Sequence, residues 1–229
     1  MKQLILLLDV GGYTERLRAL QDVHPHVIGI TPLDKPCEGF TPIEVPEEWM
    51  PDPSLPENTG LTYTQRCWHA CGTLGLAAIA QLGLEADAFL FIESDCVASP
   101  QRWRAFLENN ADNTDDGSFI CPRTRVESLW NPRWGDPSTP AWANITHLNA
   151  IYRLSQRGVA AYLSAAVEMR ECFGEMVAGS AIARAGGTIG RLNRGQTHMN
   201  NQTMKADPSR VIFNPRLINH PVKSNTYQP

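Results

Sequence analysis

No apolar run in this chain is long enough to cross a bilayer, so a membrane-spanning protein is not expected. The N-terminal run is only Leu4 to Leu8. Asp9 closes it at once and no small-residue cleavage site follows, so a first buried strand explains it better than a secretion leader. There is no G-x-G-x-x-G: after that strand the chain has only Gly11-Gly12, which excludes the dinucleotide fingerprint of a Rossmann dehydrogenase. Positive charge is not in excess, with 20 Lys and Arg against 24 Asp and Glu and a net charge of −4. The pI near 5.9 therefore argues against a generally basic, nucleic-acid-coating protein. No internal repeat and no linker composition divides the chain. The six cysteines, Cys37, Cys67, Cys71, Cys96, Cys121 and Cys172, form no spaced framework, so reduced thiols and a cytoplasmic location are expected. Cys67-x-His69-x-Cys71 does not make a zinc site on a helix, because His69 points away from the face that the two cysteines share.

What is present is an ordinary globular composition, 42% hydrophobic and 19% charged over 229 residues, enough for one α/β domain. Its organising stretch is Ala86 to Ser99. The apolar run Ala88-Phe89-Leu90-Phe91-Ile92 reads as a strand buried on both faces, and it stops at Glu93-Ser94-Asp95. Open α/β sheets bind ligands at such strand ends, and two carboxylates two residues apart there suit a hard divalent cation that in turn holds a diphosphate. The plain alternative is a strand leaving the core through two solvated charges.

The other elements follow in order. After the first strand, Gly11-Gly12 permits a tight turn and Thr14 is placed to cap a helix carrying Arg16, over the same sheet edge. His26 to Thr31 reads as a second strand. Residues 32–62, with Pro32, Pro36, Pro42, Pro46, Pro51, Pro53 and Pro56, read as a long irregular excursion. One helix is expected over Thr64 to Leu82, its small residues allowing close packing under the sheet, with Arg66 and His69 near its start. Ser99-Pro100 opens a helix to Asn109, and Ser118 to Pro122 is a short strand. Trp130, Trp134 and Trp142, interspersed with Arg123, Arg125 and Arg133, either stack on a sugar or base or pin their loop to the core. Asn149 to Ser155 reads as a strand whose last residue caps a helix to Met169. Glu175 precedes a helix over Val177 to Ala185, and Thr188 to Leu192 returns as a strand.

This succession resembles the GT-A-type glycosyltransferases, which use nucleotide-sugar donors. The likeness rests on Thr14 and Arg16, Glu93-Ser94-Asp95, Ala150-Ile151-Tyr152-Arg153-Leu154-Ser155, Gly174-Glu175 and His220-Pro221-Val222-Lys223. It implies a single GT-A-like (Rossmann-related) α/β domain over 1–229, a mixed sheet flanked by helices. Residues 1–99 would bind the nucleotide sugar, and 100–229 the acceptor, with a closing C-terminal tail. It further implies Asp95 as principal ligand of Mn²⁺ or Mg²⁺, His220 completing the metal site and Glu93 nearer the ribose. Thr14, Arg16, Arg66, Ser94 and Lys223 would contact the donor, a UDP-sugar by preference, and Glu175 would be the base that deprotonates the acceptor. Trp130, Trp134 and Trp142 would face the acceptor. The chain departs from the family pattern in having Glu, not Asp, first in the acid pair. Small free-standing enzymes of this resemblance include bacteriophage enzymes that glycosylate modified bases in DNA, so DNA joins glycan and protein hydroxyls as an acceptor class. A nucleotidyltransferase, which also places paired carboxylates on a metal, and a non-catalytic nucleotide-sugar-binding protein remain the rival functions.

Overall fold

Alternation of apolar side chains in β1 (Gln3–Leu8) sends Leu4 and Leu6 to one face of a sheet and Ile5 and Leu7 to the other. The same split recurs in β4 (Ala88–Glu93), where Phe89 and Phe91 face one hydrophobic layer and Leu90 and Ile92 the other. Both strands are buried on both sides, as their unbroken apolar runs predict. The computed structural model describes residues 2–9, 13–70, 72–124, 140–172, 174–192, 197–199 and 218–220.

The remaining strands are β2 (Val27–Pro32), β3 (Thr41–Ile43), β5 (Gly117–Thr124), β6 (Ile145–Ser155), β7 (Ile189–Arg191), β8 (Thr197–Met199) and β9 (Ile218–His220). Of the nine described strands, seven form one sheet in the order β3-β2-β1-β4-β6-β5-β7, and β8 pairs with β9 in a separate ribbon. Within the sheet β6 runs against its neighbours β4 and β5, and the other pairs are parallel. Helices α1 (Thr14–Gln21) and α4 (Pro100–Asn109) cover one face through Leu17, Leu20, Trp103 and Phe106. On the other face lie α2 (Tyr63–His69), α3 (Thr73–Gln81), α5 (Gln156–Ala166) and α6 (Val177–Arg184). Phe91 stacks on Tyr152 across the β4–β6 pair, ring centroids 4.5 Å apart and 4° from parallel. A mixed sheet flanked by helices is therefore the observed architecture.

Several local expectations change. The single helix over Thr64 to Leu82 is two helices, because Gly72 sits at φ +80°, where an α-helix cannot continue. The close packing expected of its small residues does occur: a Cβ on Gly75 would run into the Phe91 ring. Thr14 does not cap α1. Tyr13 holds that position without a side-chain bond, and the Thr14 hydroxyl donates instead to the Glu38 carbonyl at 3.2 Å. Thr62 caps α2 in a reciprocal box with Gln65, and Ser155 caps α5 as expected. The proline-rich excursion contains β3 and two 3-10 turns, Glu47–Trp49 and Pro56–Asn58. It is tied down by polar contacts: Glu47 to Arg66, Asp52 to Arg170 at 2.9 Å, and Glu171 to both Asn58 and the Asp52 N–H.

Candidate functional site

The strand order places a switch point between β1 and β4: from β1 the chain winds outward to β2 and β3, while β4 lies on its other side. Crevices at the C-terminal ends of strands flanking such a point are where open α/β sheets bind ligands. Leu8 pairs with Glu93, so the residues that follow, Asp9 after β1 and Ser94-Asp95 after β4, leave the sheet side by side. Both carboxylates are deeply sequestered, Asp9 at 1% exposure and Asp95 at 5%, whereas Glu93 is half-buried. Asp9 accepts the Tyr13 N–H at 3.4 Å, and its own N–H donates to the Ile30 carbonyl. The acid turn is closed by Ser94 N–H to the Leu8 carbonyl at 2.8 Å and by Cys96 N–H to the Glu93 carbonyl at 2.9 Å.

Arg16 reaches this turn from α1. Its guanidinium lies 3.7 Å above the Tyr13 ring, and Nη1 donates to the Ser94 carbonyl at 2.5 Å. Burial pulls its pKa below the ordinary arginine value, opposed by the neighbouring Tyr13, Asp95 and Glu15. Asp9 and Tyr13 were not singled out from the sequence. Their signal was an acidic residue ending the first buried run, as Glu93 ends the other.

The far wall is built by β6. Because Ile151 pairs with Ile92 near the end of β4, residues 145–150 overhang the same edge. The α6 helix is bolted to this overhang: Ser180 accepts the Ile145 N–H and donates to the Ile145 carbonyl, and the Gly179 N–H donates to His147 Nε2. The 3-10 turn Gly174–Met176 leads directly into α6 and carries Glu175, which is half-buried. Ile218 is fully buried in the hydrophobic layer that also contains Ile92, Cys96 and Ala150. His220, two residues further along the same strand, pairs with Met199 of β8. The His220 side chain, Lys223, Trp130 and Trp134 lie outside the described residues.

Two expected site residues are engaged elsewhere. Arg66 forms a two-pronged pair with Glu47, at 2.6 and 2.8 Å, and also donates to the Pro51 carbonyl, so its charge anchors the excursion. Trp142 donates through Nε1 to Glu168 at 3.0 Å and is covered by Arg184, which itself pairs with Glu168. Of the two readings of the tryptophans, Trp142 follows the one in which the indole pins its segment. Among the described residues no three His, Cys, Asp or Glu side chains stand together as a metal cluster. Glu93 and Asp95 have the oxygen chemistry a hard cation takes, but they need further ligands from His220 or from a bound phosphate. A cavity of about 530 Å³ opens at the opposite sheet edge beside Lys2, His24, His26 and Arg104. The ends of α1 and α4 approach it C-terminus first and Glu108 shares it, so positive charge there is offset.

No family model matches the chain, and no curated protein sequence matches it. Solved structures do. Galactosyltransferase LgtC, solved in complex with donor and acceptor sugar analogs, superposes with a TM-score of 0.50 at 12% identity, over 96% of this chain and 86% of that one. A glycosyltransferase involved in glycosylation of the major capsid of PBCV-1 gives 0.46 at 10% identity, over 90% of this chain and 89% of that one. A CMP:2-keto-3-deoxy-manno-octonic acid synthetase complexed with CTP gives 0.44 at 14%, over 83% and 89%. The chain thus has the GT-A-type, Rossmann-like fold seen in LgtC. Among the described residues no helix is long and apolar enough to cross a membrane.

Proposed function

We propose that this protein is a glycosyltransferase that moves a sugar from a nucleotide-sugar donor to an acceptor hydroxyl. The observation that carries the reading is the acid turn Glu93-Ser94-Asp95, built at the switch point beside Asp9. In this reading Asp95 and Glu93, with His220 from the C-terminal strand, hold Mn²⁺ or Mg²⁺, which when bound offsets the charge of the departing nucleoside diphosphate. Glu175 takes the proton from the acceptor hydroxyl as its oxygen bonds to the sugar's anomeric carbon and the bond from that carbon to the diphosphate breaks. Lys223 and Thr14 are assigned to the donor, and Trp130 and Trp134 to the acceptor. UDP-linked sugars are the first donors to try. The acceptors span glycan and protein hydroxyls and a hydroxylated base in DNA, the bacteriophage case, in a cytoplasmic setting.

A nucleotidyltransferase relies on a basic loop after the first strand. Here Val10-Gly11-Gly12-Tyr13 carries no basic residue and Arg16, on α1, is held on the Ser94 carbonyl, which supports sugar transfer over nucleotidyl transfer. The test supplies UDP-, GDP- and CMP-sugars, and separately UTP, GTP and CTP with a sugar 1-phosphate, each with Mn²⁺, to the wild type and to Asp95→Asn. Release of nucleoside diphosphate from a UDP- or GDP-sugar, or of CMP from a CMP-sugar, that falls at least about a hundredfold in the variant, with an unchanged melting temperature, is the expected result. Pyrophosphate released from a nucleoside triphosphate would assign a nucleotidyltransferase, and donor binding without turnover would assign a binding protein.

A further inference from the structure

Arg16 stands out because a charged side chain from α1 is buried against a backbone carbonyl 78 residues away, in the middle of the acid turn. The Ser94 carbonyl belongs to the peptide that joins Ser94 to Asp95. Fixing that oxygen therefore fixes the peptide plane from which the Asp95 side chain departs. The other two bonds closing the turn, from Ser94 and Cys96 N–H groups, are neutral backbone bonds. Arg16 thus contributes the charged fastening, and its positive charge acts on Asp95. Lysine could not substitute on equal terms. The planar guanidinium lies over the Tyr13 ring while donating in its own plane to the carbonyl, and an ammonium has no such plane.

Resting on the glycosyltransferase reading, we infer that Arg16 is a positioning residue: it holds the acid turn in shape and, by its buried charge, lets the turn accept a divalent cation only together with a nucleotide diphosphate. The turn carries Glu93 and Asp95 and lies beside the buried Asp9, and the Arg16 guanidinium, which interacts electrostatically with Asp95, offsets part of their negative charge. A dication approaching alone meets that positive charge in a poorly screened setting. A nucleotide diphosphate arriving with it supplies the missing negative charge. This role differs from the donor contact expected from the sequence, since swinging out to a phosphate would cost Arg16 both the carbonyl and the ring.

The test uses Arg16→Met, which keeps an apolar stem, and Arg16→Lys, which keeps the charge. Mn²⁺ binding is followed by loss of the free-ion electron paramagnetic resonance signal, without and with UDP. The wild type is expected to bind Mn²⁺ weakly alone and tightly with UDP. Arg16→Met should bind Mn²⁺ alone about tenfold more tightly than the wild type. In turnover, kcat should drop about thirtyfold or more while the donor KM changes less than about threefold, because the loss is in placement. Arg16→Lys should restore the weak Mn²⁺ binding but not kcat. Equal Mn²⁺ affinity in wild type and Arg16→Met overturns the inference. So does a donor KM raised more than about tenfold at constant kcat, which would put Arg16 on the diphosphate. If the wild type binds neither Mn²⁺ nor any nucleotide, the function reading fails, and hydrogen exchange then judges Arg16 separately. Amides of Ser94 to Cys96 should exchange at least about tenfold faster in either variant, and an unchanged rate refutes the brace.

Discussion

Replacing Gly72 by alanine tests the link between the helix break and the strand that carries the acid turn. The position has φ +80°, in the left-handed region, where a side chain costs about 1–2 kcal/mol. A Cβ there would also overlap the Tyr152 hydroxyl and approach the Tyr162 hydroxyl to 3.2 Å and Tyr152 Cζ to 3.3 Å. Tyr152 cannot retreat freely, since its ring is stacked on Phe91, two residues before Glu93. Overpacking of this kind costs about 1–3 kcal/mol, so the substitution is expected to remove about 2–5 kcal/mol in all. Gly60 provides the control: φ is +83° but nothing lies within 4 Å of its would-be Cβ, so Gly60→Ala should lose only the backbone part, about 1–2 kcal/mol. In urea unfolding with a slope of about 3 kcal/mol per M, a loss of about 3 kcal/mol lowers the midpoint by about 1 M at unchanged slope. A midpoint shift for Gly72→Ala no larger than for Gly60→Ala would refute the reasoning, because it would mean Tyr152 yields without cost.

Asp116 gives a pH-dependent prediction. Its carboxylate accepts the Thr188 N–H and the Ser155 hydroxyl, each at 3.0 Å, and Arg157 at 3.4 Å. The Thr188 bond above all holds its pKa below the ordinary carboxylate value. A lowered folded-state pKa means the contribution is complete above the unfolded value near about 3.9 and is lost as pH falls through the folded one. Asp116→Asn should therefore cost about 1–3 kcal/mol at pH 7, with the gap in urea midpoint narrowing below about pH 4; a gap independent of pH would count against this account. Cys67 is 4% exposed, and burial pushes its thiol up to about 12. At pH 8 about one molecule in ten thousand would carry that thiolate, so native iodoacetamide labelling read by peptide mass spectrometry should spare Cys67 and modify the half-exposed Cys37. Labelling of Cys67 as fast as Cys37 would contradict the burial.

The apolar runs Leu4 to Leu8 and Ala88 to Ile92 were enough to establish two central strands, since only double burial rewards an unbroken hydrophobic strand. Ser155 as a helix cap and Pro100 in a first turn were legible for the same kind of reason, because each acts on backbone groups a few residues away. The acid pair Glu93-Ser94-Asp95 was visible as a strand end. What it abuts was not: that β1 is the neighbour, and that Asp9 and Arg16 therefore meet the turn, depends on strand order, which no local pattern encodes. Likewise the space that admits only glycine at the Gly72 break is closed by two tyrosine hydroxyls from β6 and α5, distant in sequence. Arg66 and Trp142 looked available for ligands because their partners, Glu47 and the pair Glu168 and Arg184, come from other segments. Periodicity, capping and chain turns are short-range and lie in the sequence itself. Which charges are matched and which carboxylates converge is settled only when distant segments share one low-dielectric neighbourhood.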